Sequence, residues 1–417
     1  MTGAGLVIIG AGHAGICAAL AARAVGFSGS VTIVADDGLK DPYERPPLSK
    51  WSVPDADESR LRRSIFPAAQ VADAEIEWIS ATVTELDCES RMIRLDSGET
   101  LPYSRLLLAT GARPRQLKVP GSDTANVHYL RTHNDAKNLQ QACGSARRAL
   151  IIGGGFIGLE LAASLRKRGI AVHVLEAEQR LLARAISAPV AQIVQRLHVA
   201  NGVEFSFDAR LLALKQEGPQ TTAHLDGGNS ITADLVIAGI GSIPETLLAE
   251  AAGIKVDNGI VVDRNLQTNI PGIFAAGDCC RFPLYGADGV LTRLESWQAA
   301  GDQGALSGRN MVADRSAEHE AFLGTPWFWS EQYDHVLQVA GLPNSDAQPA
   351  ERSYEADHHI SFGVDRYGSL ASACGIASGT AIAKDIRFSM KLIESGSTLT
   401  ISELSDNKVP LKSLLKR

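Results

Sequence analysis

The chain has 417 residues, an apolar fraction of 45% and a formal net charge of −7. That length exceeds a single hydrophobic core and points to two or three domains of ordinary enzyme composition, while the acidic balance argues against wholesale nucleic-acid binding. No apolar stretch is long enough to span a bilayer, and six scattered cysteines argue against a disulfide framework or a zinc site and for a reducing, cytoplasmic setting.

Leu6–Ile9 reads as a short buried strand; no basic residue precedes it and glycines follow, which is not the layout of a signal peptide. It runs into Gly10-Ala11-Gly12-His13-Ala14-Gly15 and an alanine-rich helical stretch reaching about Gly26. Strand, glycine turn and helix together let backbone N–H groups approach a pyrophosphate at a helix N-terminus. A second strand over 31–34 ends beside Asp36 and Asp37, roughly the twenty-residue spacing at which a carboxylate meets a ribose. Residues 106–112 read as a buried strand leaving its domain by a crossover through Ala109, Thr110 and Gly111.

The pattern then recurs. A strand over 149–152 meets Gly153-Gly154-Gly155-Phe156-Ile157-Gly158, a helix follows over 159–168, and the next strand, 170–175, ends at Glu176. Two complete fingerprints imply two dinucleotides, because each glycine turn cradles one pyrophosphate. Further on, 272–278 is a strand closing on Gly277-Asp278, suited to placing a carboxylate against the ribityl hydroxyls of a flavin. The first site is therefore expected to hold FAD and the second NADH, the latter at Gly153, Gly155, Ile157, Gly158, Glu176 and Gly241. Glu176 sets the coenzyme preference, because a 2′-phosphate at about 4 Å would meet like-charge repulsion of about 4 kcal/mol at an effective dielectric near 20. That is roughly a thousandfold against NADPH, with Arg180 near enough in sequence to soften it. From about 321 tryptophans cluster, 359–364 alternates like a strand and 384–393 has a helical pattern, which suggests a small α+β domain.

These motifs, with Pro42-Tyr43-Glu44-Arg45-Pro46-Pro47-Leu48-Ser49-Lys50, resemble the flavoprotein ferredoxin reductases that serve cytochrome P450 and Rieske oxygenase systems, the family of putidaredoxin reductase. Leu130-Arg131-Thr132, Arg293-Leu294-Glu295-Ser296-Trp297 and the tryptophan-rich segment 326–333 extend the resemblance to the C-terminal domain. It implies an α/β fold of glutathione reductase-like architecture: two doubly wound Rossmann-like domains, FAD over 1–113 and 243–320 and NAD over 114–242, then a C-terminal α+β domain over 321–417. It implies FAD contacts at Ala14, Asp36 or Asp37, Arg45, Lys50, Val83, Arg131, Asp278 and Trp297, beside the glycines Gly10, Gly12 and Gly15. Counting from the strand favours Asp36, although one extra residue before Arg45 leaves Asp37 open. Glu245 stands where such reductases often carry asparagine, and Trp297 where a smaller residue is common.

The resemblance also brings Lys50 and Glu160 toward the flavin, as an ion pair in which lysine favours the reduced flavin and glutamate orients the nicotinamide. Phe156 either covers the nicotinamide side of the flavin or packs in a core. Trp297 and Trp329 either line the partner-facing side or fill an interface. Segment 36–50 has no cysteine, which argues against thiol–disulfide chemistry, and Cys279 and Cys280 are expected to be buried packing.

The implied electron acceptor is a [2Fe–2S] ferredoxin, which takes one electron at a time. Ferredoxins of this type are usually acidic, so exposed cations are candidate contacts: Arg60, Arg62 and Arg63, Arg309, and Lys408, Lys412, Lys416 and Arg417. Rival readings are a rubredoxin reductase, an NADH oxidase, or a redox-sensing NADH-binding protein resembling apoptosis-inducing factor.

Overall fold

Residues with alternating faces and no polar interruption form sheets buried on both sides, and the first sheet is built this way. The protein is described from a computed structural model over residues 5–36, 42–51, 63–123, 127–285, 289–313, 316–343, 346–355 and 357–415. Asp37, Arg60, Arg62, Lys416 and Arg417 lie outside the described residues. Contacts divide the chain into two units: Met1–Glu44, Arg62–Arg113 and Ser242–Gly324 form the first, and Arg45–Leu61, Pro114–Gly241 and Thr325–Arg417 the second.

In the first unit Ile273–Ala275, Arg105–Leu108, Leu6–Ile9, Val31–Ala35 and Glu77–Ser80 lie side by side in that order, all parallel. Alternation sends Val7, Ile9, Leu106 and Leu108 into one core and Leu6, Ile8, Leu107 and Phe274 into the other. Helix His13–Ala24 crosses helix Trp297–Val312 at backbone contact. A Cβ on Gly304 would stand 2.1 Å from the Ala14 carbonyl oxygen, and one on Gly308 2.2 Å from that of Ala18. The expected strand over 106–112 stops at Leu108, because Gly111 takes a left-handed φ of 74° that turns the chain before the short strand Ala112–Pro114.

The second unit repeats the parallel arrangement, in the order Val203–Ser206, Ala171–Leu175, Arg148–Ile152, Leu235–Ala238 and Val127–His128. Here Ala149 and Ile151 face one core, Leu150 and Ile152 the other. An antiparallel sheet follows, ordered Trp327–Gln332, His335–Gly341, Leu370–Ser378, His358–Val364 and Gln348–Glu355, with helix Ala383–Ser395 against it. Leu337, Val339 and Ile376 of that sheet share a core with Leu159, Val190 and Val194. The C-terminal sheet is thus packed on helices Phe156–Lys167 and Ala188–Ala200.

The described part of Arg45–Leu61, expected with residues 1–113, groups with the second unit. Side chains explain it. Trp51 is 2% exposed in the core around Leu161 and Leu165, its backbone N–H donates to Ser164 Oγ at 3.0 Å, and Ser164 Oγ donates to the Ser49 carbonyl at 2.8 Å. Among the described residues no helix is long and apolar enough to cross a membrane.

Candidate active site

In the first unit, Gly10, Ala109 and Ala276 follow the carboxyl ends of three adjacent parallel strands, the end at which open α/β sheets bind ligands. Gly10 has φ 112°, and a Cβ there would lie 2.3 Å from the Ala109 carbonyl oxygen; one on Gly15 would lie 2.1 Å from that of Gly10. Helix His13–Ala24 starts at Gly12 with no side-chain cap and no acidic residue in its first turn, so its leading N–H groups face an anion site without competition. A Cβ on Gly277 would lie 3.1 Å from the Ala14 methyl, which brings Gly277-Asp278 beside the first loop. This cradle fits a dinucleotide pyrophosphate. Thr110 Oγ1 donates to the Glu245 carbonyl at 2.6 Å and fixes the crossover, while the Glu245 carboxylate pairs with Arg113 at 2.9 Å. Asp36 sits exposed at the turn after Val31–Ala35, and Val83 opens the strand Val83–Asp87. Trp297 begins its helix and lies tilted on His13, the ring centroids 4.1 Å apart.

The second loop has the same construction. Gly153 has φ 108°, a Cβ there would meet the Gly239 carbonyl oxygen at 2.4 Å, and a Cβ on Gly158 would meet that of Gly153 at 2.3 Å. Helix Phe156–Lys167 also begins uncapped, at Gly155. Glu176, at the end of the neighbouring strand, accepts from the Gly154 N–H at 2.8 Å and the Glu178 N–H at 2.9 Å. Arg180 turns away from it: the guanidinium donates to the carbonyls of Leu181 and Ala183 at 3.3 and 2.8 Å. Ile157 is exposed, and Gly241, with φ 100°, follows the strand Leu235–Ala238. Phe156 meets Phe328 edge-on with centroids 5.0 Å apart.

Lys50 and Glu160 come together within this second unit. Pro46 and Pro47 preset the short 3₁₀ turn Pro46–Ser49, which ends at Lys50. Its ammonium donates to the Pro46 carbonyl at 3.0 Å and lies 3.4 Å from Glu160 Oε1. Glu160, only 6% exposed, also accepts from Ser49 Oγ at 2.5 Å and Ser330 Oγ at 2.6 Å. Neither serine was singled out by the sequence, nor were Gln332 and His198 behind Ser330; the alternation of 327–332 places Ser330 and Gln332 on one face, whereas Ser49 and His198 carry no local signal. Arg45 is exposed, and the Arg131 backbone N–H donates to the Asp135 carboxylate at 3.0 Å at the start of helix His133–Cys143. Trp329 stacks on Trp327 with centroids 5.2 Å apart.

All six cysteines are free thiols. Cys279 and Cys280 are fully buried, and burial pushes both thiols above their ordinary range. Of the candidate docking cations, Arg309 is bound to Glu320 at 2.9 Å and Arg63 to Glu44 at 3.5 Å, whereas Lys408 and Lys412 are exposed.

Comparison with known proteins agrees with this geometry. Residues 4–304 match the family model "Pyridine nucleotide-disulphide oxidoreductase", and residues 327–415 match "Reductase C-terminal". Rhodocoxin reductase of Rhodococcus erythropolis is 37% identical over 99% of this chain and 94% of its own. The ferredoxin–NAD(+) reductase component of an anthranilate 1,2-dioxygenase system, from Burkholderia cepacia, is 36% identical over 98% of each. The reductase in a solved covalent putidaredoxin reductase–putidaredoxin complex superposes with a TM-score of 0.90 at 30% identity, covering 100% of this chain and 99% of that one. With two nucleotide cradles in place and this likeness along its whole length, the chain belongs to the pyridine nucleotide-disulphide oxidoreductase family, among its FAD- and NAD(H)-dependent ferredoxin reductases.

Proposed function

We propose that the protein takes electrons from NADH through FAD to a [2Fe–2S] ferredoxin in the cytoplasm, supplying a cytochrome P450 or Rieske-type oxygenase. The observation that carries the reading is the combination of two uncapped glycine cradles with a buried carboxylate, Glu160, held against Lys50 four residues after the first helical position of the second cradle. FAD, when bound, would supply the conversion of an electron pair from NADH into single electrons that a one-electron cluster requires. The rest of the work is binding and orientation. The first cradle, at Gly10, Gly12, Ala14 and Gly15, holds one pyrophosphate, with Asp36 at the ribose and Asp278, Ala109, Thr110, Gly111, Val83, Arg45, Arg131 and Trp297 completing the flavin site. Gly153, Gly155, Ile157, Gly158, Gly241 and Glu176 hold NADH. Lys50 places a cation where reduced flavin is anionic, and Glu160 orients the nicotinamide.

Surface chemistry supports an acidic partner. Lys384, Arg387 and Lys391 recur along helix Ala383–Ser395 and, with Lys412, line a concave surface around Phe388. Exposed charges are screened beyond about 10 Å at 0.1 M salt, so turnover with ferredoxin should fall as ionic strength rises. The test is stopped-flow reduction of the FAD-loaded protein by NADH, followed by turnover with a panel of ferredoxins, with rubredoxin and with oxygen alone. Fast, salt-sensitive turnover with a ferredoxin is expected. Equal turnover with oxygen alone would make it an NADH oxidase, preference for rubredoxin a rubredoxin reductase, and slow turnover with every acceptor a redox-sensing NADH-binding protein.

A further inference from the structure

A carboxylate as buried as Glu160 persists only where its lone pairs are engaged. Ser49 Oγ serves Oε2, and Ser330 Oγ serves Oε1. Behind Ser330 the hydrogen bonds continue in one direction. Gln332 Nε2 donates to Ser330 Oγ at 2.9 Å, and Gln332 Oε1 lies 2.8 Å from His198 Nε2. An amide oxygen only accepts, so His198 carries its proton on Nε2 and presents Nδ1 as a bare lone pair. Nδ1 is buried without a hydrogen-bond partner, in keeping with that tautomer. Burial pushes the imidazole down to about 4, which keeps it neutral and limits it to one N–H.

Each donor in the row His198, Gln332, Ser330 therefore points toward Glu160. Ser330, Gln332 and His198 have no measurable exposure, so water does not compete with these bonds. In such surroundings aligned dipoles reinforce one another. The strand alternation explains the match: Phe328, Ser330 and Gln332 share one face of Trp327–Gln332, where Phe328 meets Phe156, Ser330 meets Glu160 one helical turn on, and Gln332 meets His198.

We propose that this C-terminal strand is part of the NADH site: Ser330, with Gln332 and His198 behind it, is a positioning residue that aims the Glu160 carboxylate at the nicotinamide. The inference rests on the functional reading above, and the two can fail separately. Calorimetry on the FAD-loaded protein compares NAD+ with ADP-ribose, which lacks the nicotinamide, in the unaltered protein, Ser330→Ala and Gln332→Met. Single-turnover reduction by NADH is followed in parallel. Ser330→Ala should bind NAD+ about tenfold more weakly and be reduced about tenfold more slowly, with ADP-ribose affinity unchanged. Gln332→Met should show a smaller loss with the same split, and it carries the test if Ser330→Ala does not fold. Equal weakening of both ligands, or no change in either, would overturn the positioning role. An unaltered protein that binds neither ligand would overturn the functional reading and this inference with it.

Discussion

Ser330 Oγ and Glu160 Oε1 lie 2.6 Å apart across 170 positions of sequence. The same carboxylate takes Ser49 and Lys50 from a third segment. Glu160 is thus where the proline turn, the second nucleotide helix and the C-terminal sheet converge, which explains why residues 45–51 group with the second unit.

Replacing Lys50 by methionine keeps the packing of the stem and removes the cation 3.4 Å from Glu160. Because it leaves a nearly buried carboxylate without its counter-charge, reduction by NADH should slow by about tenfold or more, equivalent to roughly 1.4 kcal/mol on the barrier. Flavin absorbance reports retention of FAD, and stopped-flow bleaching reports the rate. A variant that holds FAD and is reduced at full speed would remove Lys50 from the catalytic account.

Glu176 predicts the coenzyme. Its carboxylate is anchored by two backbone N–H groups, and Arg180, the one nearby cation singled out in the sequence, is committed to carbonyls. The repulsion of a 2′-phosphate is thus not relieved by Arg180, and kcat/KM for NADH should exceed that for NADPH by about a thousandfold. Glu176→Gln should narrow the ratio by raising NADPH turnover. Comparable kcat/KM for the two coenzymes in the unaltered protein contradicts the argument.

Both nucleotide loops were legible in the sequence because glycine is required there by backbone geometry that no other residue adopts at low cost, as Gly10 and Gly153 illustrate. The pairing of Lys50 with Glu160 came from resemblance, since a separation of 110 positions carries no local signal of contact. Ser330 and His198 stayed hidden for a related reason: a serine in a tryptophan-rich strand gains meaning only once a partner strand and helix fix which face is buried. Arg309 shows the converse, a cation that reads as free surface in sequence but is occupied by Glu320 in the fold.

Gly304 and Gly308 were not singled out in the sequence, yet the crossing of helices His13–Ala24 and Trp297–Val312 depends on them. A methyl at either position would overlap a backbone carbonyl of the other helix, which cannot move aside as a side chain can. Gly304→Ala and Gly308→Ala should each destabilise the protein by about 1–3 kcal/mol, because overpacking against a fixed backbone outweighs alanine's gain in helix propensity of about 1 kcal/mol. Denaturant unfolding measures this. A neutral or stabilising effect would mean that the helices separate more readily than the backbone contact implies.

Cys279 and Cys280 should resist thiol reagents. Cys279 Sγ lies 3.4 Å from each of the Leu108 and Ala276 carbonyl oxygens, which share its one S–H, and burial raises both thiols, so little thiolate forms at neutral pH. Native protein should leave both unmodified by a disulfide-exchange reagent, while unfolded protein should release all six thiols. Rapid labelling of either residue in the native state would reopen a redox role.

His198 makes stability depend on pH in a defined direction. Burial lowers its pKa from 6.5 to about 4, so between those values the unfolded chain binds the proton more readily than the folded one. Stability is therefore complete above about 6.5 and falls as pH drops toward 4, by about 1.4 kcal/mol per pH unit for this one group. His13, also lowered to about 4 by burial, adds a loss of the same sign, whereas Asp302, raised by burial, opposes it. Comparing melting curves of the unaltered protein and His198→Gln at several pH values isolates the His198 contribution, because the other groups are common to both. The gap between the two should narrow, or reverse, on acidification as the unaltered protein loses stability faster; curves that stay parallel from pH about 7 to about 5 would show that His198 is not held neutral by the fold.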